Sequence, residues 1–111
     1  MRVQPVTRYE VGGDADGGAT EATCGHTASL EPVQPSTTEG CEDCLRQGGS
    51  WVHLRECLVC GHVACCDNSP SRHARAHWER TVHPVMRSFE PGEDWAWCFV
   101  DDLFLVPAER A

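Results

Sequence analysis

The sequence predicts a small α+β domain. Three observations lead there: helix and strand signals that mix without βα alternation, an apolar content too thin to hold the chain by burial, and cysteines and histidines recurring at chelating distances. Leu, Ile, Val and Phe make up 20 of 111 residues, about 18%, a share at which disorder is the ordinary outcome. A domain of this size often needs a staple, and the 8 Cys, 6 His and 4 Trp are the residues numerous enough to supply one.

Taken in chain order, residues 1–22 are rich in Gly, Ala, Thr and acidic side chains without periodicity and read as a flexible leader. The folded domain is expected over 23–107, with 108–111 a tail. Residues 31–38, rich in Pro, Ser and Thr, read as a loop. Cys41 to Gln47 reads as a knuckle running into a short helix that Gly48 and Gly49 end. Trp51-Val52-His53-Leu54 alternates and predicts a strand feeding Cys57. After the cap and turn residues Asn68-Ser69-Pro70-Ser71, residues 72–80 predict a second helix, ending before His83-Pro84. Residues 85–89 and 97–106 are the remaining strands, separated by the turn Pro91-Gly92-Glu93-Asp94.

Composition excludes several functions. The net charge is −8 and all 9 cations are Arg, the wrong balance for phosphate neutralisation, so no nucleic-acid partner is expected. No run approaches membrane-spanning length, and Met1-Arg2-Val3-Gln4-Pro5 lacks the apolar stretch of a signal peptide. The expected location is cytoplasmic, where thiols stay reduced, and His interleaved with Cys then favours metal over disulfides. The lack of Lys and Ile, with one Asn at position 68, points to GC-rich codons and a bacterial-looking chain.

The strongest signal is Cys41-x-x-Cys44 followed by Cys57-x-x-Cys60, because a two-residue gap lets both thiolates reach one tetrahedral ion from a single turn. A cysteine serving only as a small buried apolar residue has no reason to recur at that spacing. Cys65 and Cys66 follow, then His73, His77 and His83; His73 and His77 stand at i, i+4 on one helix face. Cys24-x-His26 lies upstream, and Cys98 with Asp101 downstream. These ligands fill about three closed zinc sites at four donors each. His53, on a strand away from any pair, and His62, in the turn after Cys60-Gly61, are read as non-ligands.

This order of residues, from Cys24-x-His26 through the two CxxC pairs, Cys65, His73-x-x-x-His77 and His83-Pro84 to Trp97-Cys98, resembles the UBP-type zinc finger of ubiquitin-specific proteases and a cytoplasmic histone deacetylase. The resemblance implies a small twisted antiparallel sheet with two short helices, cross-braced by zinc. It also implies the grouping: Cys24, His26, Cys98 and Asp101 on one ion, Cys41, Cys44, Cys65 and His73 on a second, Cys57, Cys60, His77 and His83 on a third. Three-zinc members carry Cys where this chain has Asp101, and a carboxylate is an acceptable though harder ligand. The interval from Cys65 to His73 is one residue longer than usual and Cys66 would restore it, but the gap from Cys60 to Cys65 is the expected one and favours Cys65.

Ubiquitin-binding members hold a C-terminal Gly-Gly with an Arg-Tyr pair after the third-knuckle Cys and aromatic walls near the last Cys. This chain keeps aromatics in Trp97, Phe99 and Phe104 but reads Cys66-Asp67-Asn68 where the Arg-Tyr would stand, and Asp67 would repel a carboxylate. The expectation is a protein or C-terminal peptide partner other than ubiquitin, docking on Trp97, Phe99, Phe104 and Arg72, with Arg72 or Arg55 substituting for the missing cation. Trp51, Trp78 and Trp95 read as packing or surface residues. Neither HExxH nor the HxE…PCxxC deaminase pattern occurs, so no enzyme is expected. Two other readings stay open: a redox sensor at Cys65-Cys66, and a hydrolase if Asp101 leaves its site open.

Overall fold

The computed structural model describes residues 8–28 and 30–108. In chain order the elements are β1 (Tyr9–Asp14), α1 (Glu42–Gln47), β2 (Leu54–Cys57), β3 (Val63–Cys65), α2 (His73–Thr81), β4 (Val85–Ser88), β5 (Ala96–Cys98) and β6 (Leu103–Pro107). The strands form one sheet in the order β1-β6-β5-β4-β2-β3, with every neighbouring pair antiparallel. Both helices lie against β3, so one sheet edge is covered and the other ends at β1.

Both helices owe their starts to ligand-type residues. The Cys41 sulfur caps α1, accepting from Cys44 N–H at 3.4 Å, and Gly48 closes the helix in the left-handed region at φ 77°. In α2 the Asn68-Ser69-Pro70-Ser71 stretch makes no side-chain cap; Arg72 takes the N-cap position at φ 47°, and the His73 N–H donates to Cys65 Sγ at 3.2 Å. A thiolate there would satisfy an orphan amide at the positive end of the helix.

Four expectations need correction. The leader 1–22 contains β1, whose Val11 and Gly13 flank a bulge and which pairs along β6 from Tyr9 opposite Pro107 to Asp14 opposite Leu103. Residues 1–7 lie outside the described residues, as do 109–111 of the expected tail. The strand expected at 51–54 begins only at Leu54. The single strand expected over 97–106 is two strands, β5 and β6, joined by a turn at 99–102 in which Asp102 is left-handed at φ 51°. Finally β3, which carries Cys65, was unannounced, because three residues are too short for a period.

The core confirms the scarcity of apolar residues. Among the described residues, six of the 14 buried apolar residues are cysteines: Cys41, Cys44, Cys57, Cys65, Cys66 and Cys98. One cluster joins Cys41, Cys44, Cys57 and Cys65 to Ala64, Ala74 and Met86; the other joins Cys98 to Val85, Ala96, Leu103 and Leu105. Pairing in water rewards such short strands poorly, so the sulfur-rich centres carry the fold.

Gly61 shows how closely the knuckles are wrapped. It sits at φ 83°, and a Cβ there would lie 2.0 Å from the Gln34 carbonyl oxygen. The 31–38 loop uses that gap: Ser36 N–H donates to Gly61 O at 2.8 Å, and Ser36 Oγ accepts from Val63 N–H at 2.9 Å.

Candidate metal centres and aromatic cleft

Three groups of four donors assemble, each within 4.8 Å. The first draws Cys41 and Cys44 from the start of α1, Cys65 from β3 and His73 from the start of α2. His73 Nδ1 lies 3.3 Å from the sulfurs of Cys41 and Cys44 and 3.5 Å from that of Cys65; Cys44 and Cys65 sulfurs are 3.9 Å apart. A tetrahedron with Zn–S bonds of about 2.3 Å and Zn–N bonds of about 2.0 Å has donor-to-donor edges of roughly 3.3–3.8 Å. The donor set and its spacing therefore fit zinc.

The second group takes Cys57 from the end of β2, Cys60 from the turn after it, His77 from α2 and His83 from the residues that follow α2. His77 Nε2 is 3.3 Å from Cys60 Sγ, and His83 Nδ1 is 3.5 Å from Cys57 Sγ. His73 and His77, one helical turn apart, thus face different groups. The third joins Cys24 and His26 to Cys98 at the end of β5 and Asp101 in the following turn. His26 Nδ1 is 2.9 Å from Asp101 Oδ2 and 3.5 Å from each of the Cys24 and Cys98 sulfurs. The turn folds back so that the Asp101 N–H also donates to Cys98 Sγ at 3.5 Å.

The burial of these thiols shows in their acidities. Burial, with the neighbouring thiols of its group, pushes Cys44 from 9.0 to about 12, and burial takes Cys57 to about 11 and Cys24 to about 12. A divalent ion would reverse this by compensating the thiolates it binds. Burial pushes His77 the other way, from 6.5 to about 4, assisted by His62 and His83, which leaves the neutral imidazole that donates a lone pair to metal. Hydrogen bonds from Cys24 and then His26 hold Asp101 below the usual carboxylate range.

Cys66 stands outside these groups. Its sulfur lies 3.5 Å from Ser69 Oγ, and although burial raises its pKa, hydrogen bonds from Ser69 and from the Asn68 and His53 backbone, with the Arg55 charge, bring it below the usual thiol value. His62 is also outside the three groups, yet it is tightly held: Nε2 is 2.7 Å from Asp43 Oδ2, Nδ1 is 3.0 Å from Glu42 Oε2, and its ring stacks on His77 at 4.6 Å. This clamp between α1 and the second knuckle was missed because nothing local links residues 19 positions apart. His53 lies 3.7 Å from Glu90 and joins no group.

Replacing Asp101 by Ala is expected to lower the affinity of one zinc site at least tenfold, the range seen when a ligand sphere is disturbed, while Asp102→Asn leaves zinc retention unchanged. Competition with a chromophoric chelator measures both.

On the sheet, register places Met86, Trp97 and Phe104 opposite one another on β4, β5 and β6, hence on one face. That face opens into a cleft of about 290 Å³, whose aromatic lining is Trp95, Trp97, Phe99 and Phe104. Trp95, expected only to pack, thus belongs to the cleft. Arg72 does not: it is exposed at its left-handed position, and the cations lining the cleft are Arg55 from β2 and Arg75 from α2. Asp67 also lines the cleft, and Arg75 grips it, with Nη2 2.6 Å from Oδ2 and Nε 3.1 Å from both oxygens. The repulsion expected of Asp67 is therefore compensated from α2.

Comparison with known proteins agrees with this picture. The family described as the Zn-finger in ubiquitin-hydrolases and other protein matches residues 41–109. The solution structure of protein RPA1320 from Rhodopseudomonas palustris superposes with a TM-score of 0.71 at 45% identity, over 79% of this chain and 85% of that one. The chain is 37% identical over 60 residues to the human BRCA1-associated protein, covering 54% of this chain and 9% of that protein. It is 31% identical over 65 residues to the NAD-dependent deacetylase sir2A of Dictyostelium discoideum, covering 59% of this chain and 11% of that protein. The chain thus spans about a tenth of the length of these two curated relatives.

Proposed function

This chain belongs to the UBP-type zinc-finger family, and on that premise we propose that it is a protein-interaction module braced by three structural zinc ions, which receives a peptide from its partner in the aromatic cleft. The observation that carries the reading is the coexistence of three complete four-donor groups with an apolar cleft that none of the twelve donors lines. The ligands are Cys41, Cys44, Cys65 and His73; Cys57, Cys60, His77 and His83; and Cys24, His26, Cys98 and Asp101. Four donors close each site, whereas catalytic zinc keeps a position for water, so the ions act as staples and no reaction is assigned. Bound zinc supplies charge compensation for the thiolates; recognition falls to the chain's own side chains.

Ubiquitin itself is not the expected ligand. The Asp67 carboxylate occupies the place of the family's cation, and its pairing with Arg75 removes that arginine from service as a carboxylate receptor. Titration calorimetry of the zinc-loaded protein with ubiquitin, and with ubiquitin lacking its two terminal glycines, tests this. No heat of binding at micromolar concentration is expected from either. Micromolar binding lost on truncation would overturn the exclusion of ubiquitin, and binding of no peptide by a folded, zinc-loaded chain would overturn the module reading.

A further inference from the structure

The two arginines of the cleft differ in a way that identifies what the cleft receives. Arg75 is committed: it holds Asp67 through both oxygens and lies 5.3 Å from the centre of the Phe99 ring. Arg55 is not. Its guanidinium lies 4.5 Å over the Trp95 ring, one Nη1–H donates to the Leu54 carbonyl at 2.9 Å, and among the described residues it has no carboxylate partner. In a chain of net charge −8 with abundant carboxylates, an arginine left half-buried against an aromatic wall without one stands out. With Asp67 matched by Arg75, the charged lining of the cleft carries one uncompensated positive charge.

The remaining lining is aromatic and aliphatic: the four rings, Met86 and Ala74. At about 290 Å³ the cleft stands at the small end of ligand pockets, with room for one large side chain and the chain end beside it. A terminal glycine would leave that apolar surface unfilled, whereas burying a Leu or Phe side chain there is worth about tenfold to a hundredfold in affinity. An arginine stacked on tryptophan keeps its planar fork available for a carboxylate.

Resting on the reading of the cleft as a peptide site, we infer that Arg55 is its anion receptor and that the occupant is the C-terminus of a partner chain ending in a large apolar or aromatic residue, with the terminal carboxylate on Arg55 and the last side chain among Trp95, Trp97, Phe99 and Phe104. This selects against a diglycine end on grounds of shape.

The test is fluorescence anisotropy of the zinc-loaded protein with labelled short peptides of one sequence ending in Phe, Leu or Gly-Gly, each as free acid and as amide. The Phe and Leu acids are expected to bind best, and amidation to weaken them roughly tenfold to a hundredfold, the worth of a charge-assisted contact. Arg55→Gln should cause the same loss and abolish the difference between acid and amide, with zinc content unchanged, while Arg72→Gln changes nothing. The acid and amide comparison uses the unaltered protein, so it decides even if Arg55→Gln misfolds. Equal binding of acid and amide that Trp97→Ala removes would overturn the inference and leave the peptide site standing. Preference for Gly-Gly would overturn the choice of occupant, and binding of no peptide would overturn both the inference and the reading beneath it.

Discussion

Removing zinc with a strong chelator is expected to unfold the domain cooperatively, with loss of the far-ultraviolet signature of strand and helix and recovery on adding the metal back. Structural zinc contributes about 10 kcal/mol per site in peptide systems, and a domain of this kind has a net stability of roughly 5–15 kcal/mol. The chain offers little else. Its two clusters hold Met86 and a few Val, Leu and Ala around five buried cysteines, and burial raises the thiols of Cys44 to about 12 and Cys57 to about 11, so as neutral groups they have no attraction to replace the ion. Circular dichroism during chelation measures the outcome.

Cys65 and Cys66 should then part company on substitution. Cys65→Ala is expected to lose one zinc ion and most of the fold, because Cys65 Sγ both completes the group with Cys41, Cys44 and His73 and caps the first amide of α2. The loss of about 10 kcal/mol is comparable to the whole stability of such a domain, roughly 5–15 kcal/mol. Cys66→Ala is expected to retain all the zinc and cost about 1 kcal/mol, the usual range for trimming a small buried side chain. Thermal unfolding of the two variants, with zinc content by elemental analysis, separates them. Equal loss in both would mean that the vicinal thiols share the ion.

The contrast between these neighbours shows where sequence reading is strong. Chelation needs particular atoms at short spacing, so CxxC pairs and HxxxH survive as signals even though the strands between them are three or four residues long. The partition of His73 and His77 between two groups was not legible in spacing, which places them on one face; it came from a resemblance over the whole ligand order, and the geometry now sets them 3.3 Å from Cys41 and Cys60 respectively. The α+β class and both helices were legible for similar local reasons, in a helix-capping Gly48 and a helical stretch before His83-Pro84.

What escaped was tertiary. β1 looks like linker because Gly12 and Gly13 interrupt its alternation, and it is a strand only because β6 lies beside it; a Cβ at Gly12 would stand 2.9 Å from Val106 Cγ1. Of the two cations expected at the cleft, Arg55 lines it, whereas the left-handed backbone of Arg72 leaves that side chain exposed and Arg75, one turn on, takes the place by Phe99. Pairing of Arg75 with Asp67, across eight residues and a loop, turned an expected repulsion into a neutral pair.

Native mass spectrometry of the purified, folded chain is the most direct test of the three proposed tetrahedral zinc sites. A dominant species carrying three zinc ions is the predicted result, shifting to fewer ions together with the broad, high charge states of an unfolded chain as chelator is added. A folded, low-charge species with one ion or none would contradict it.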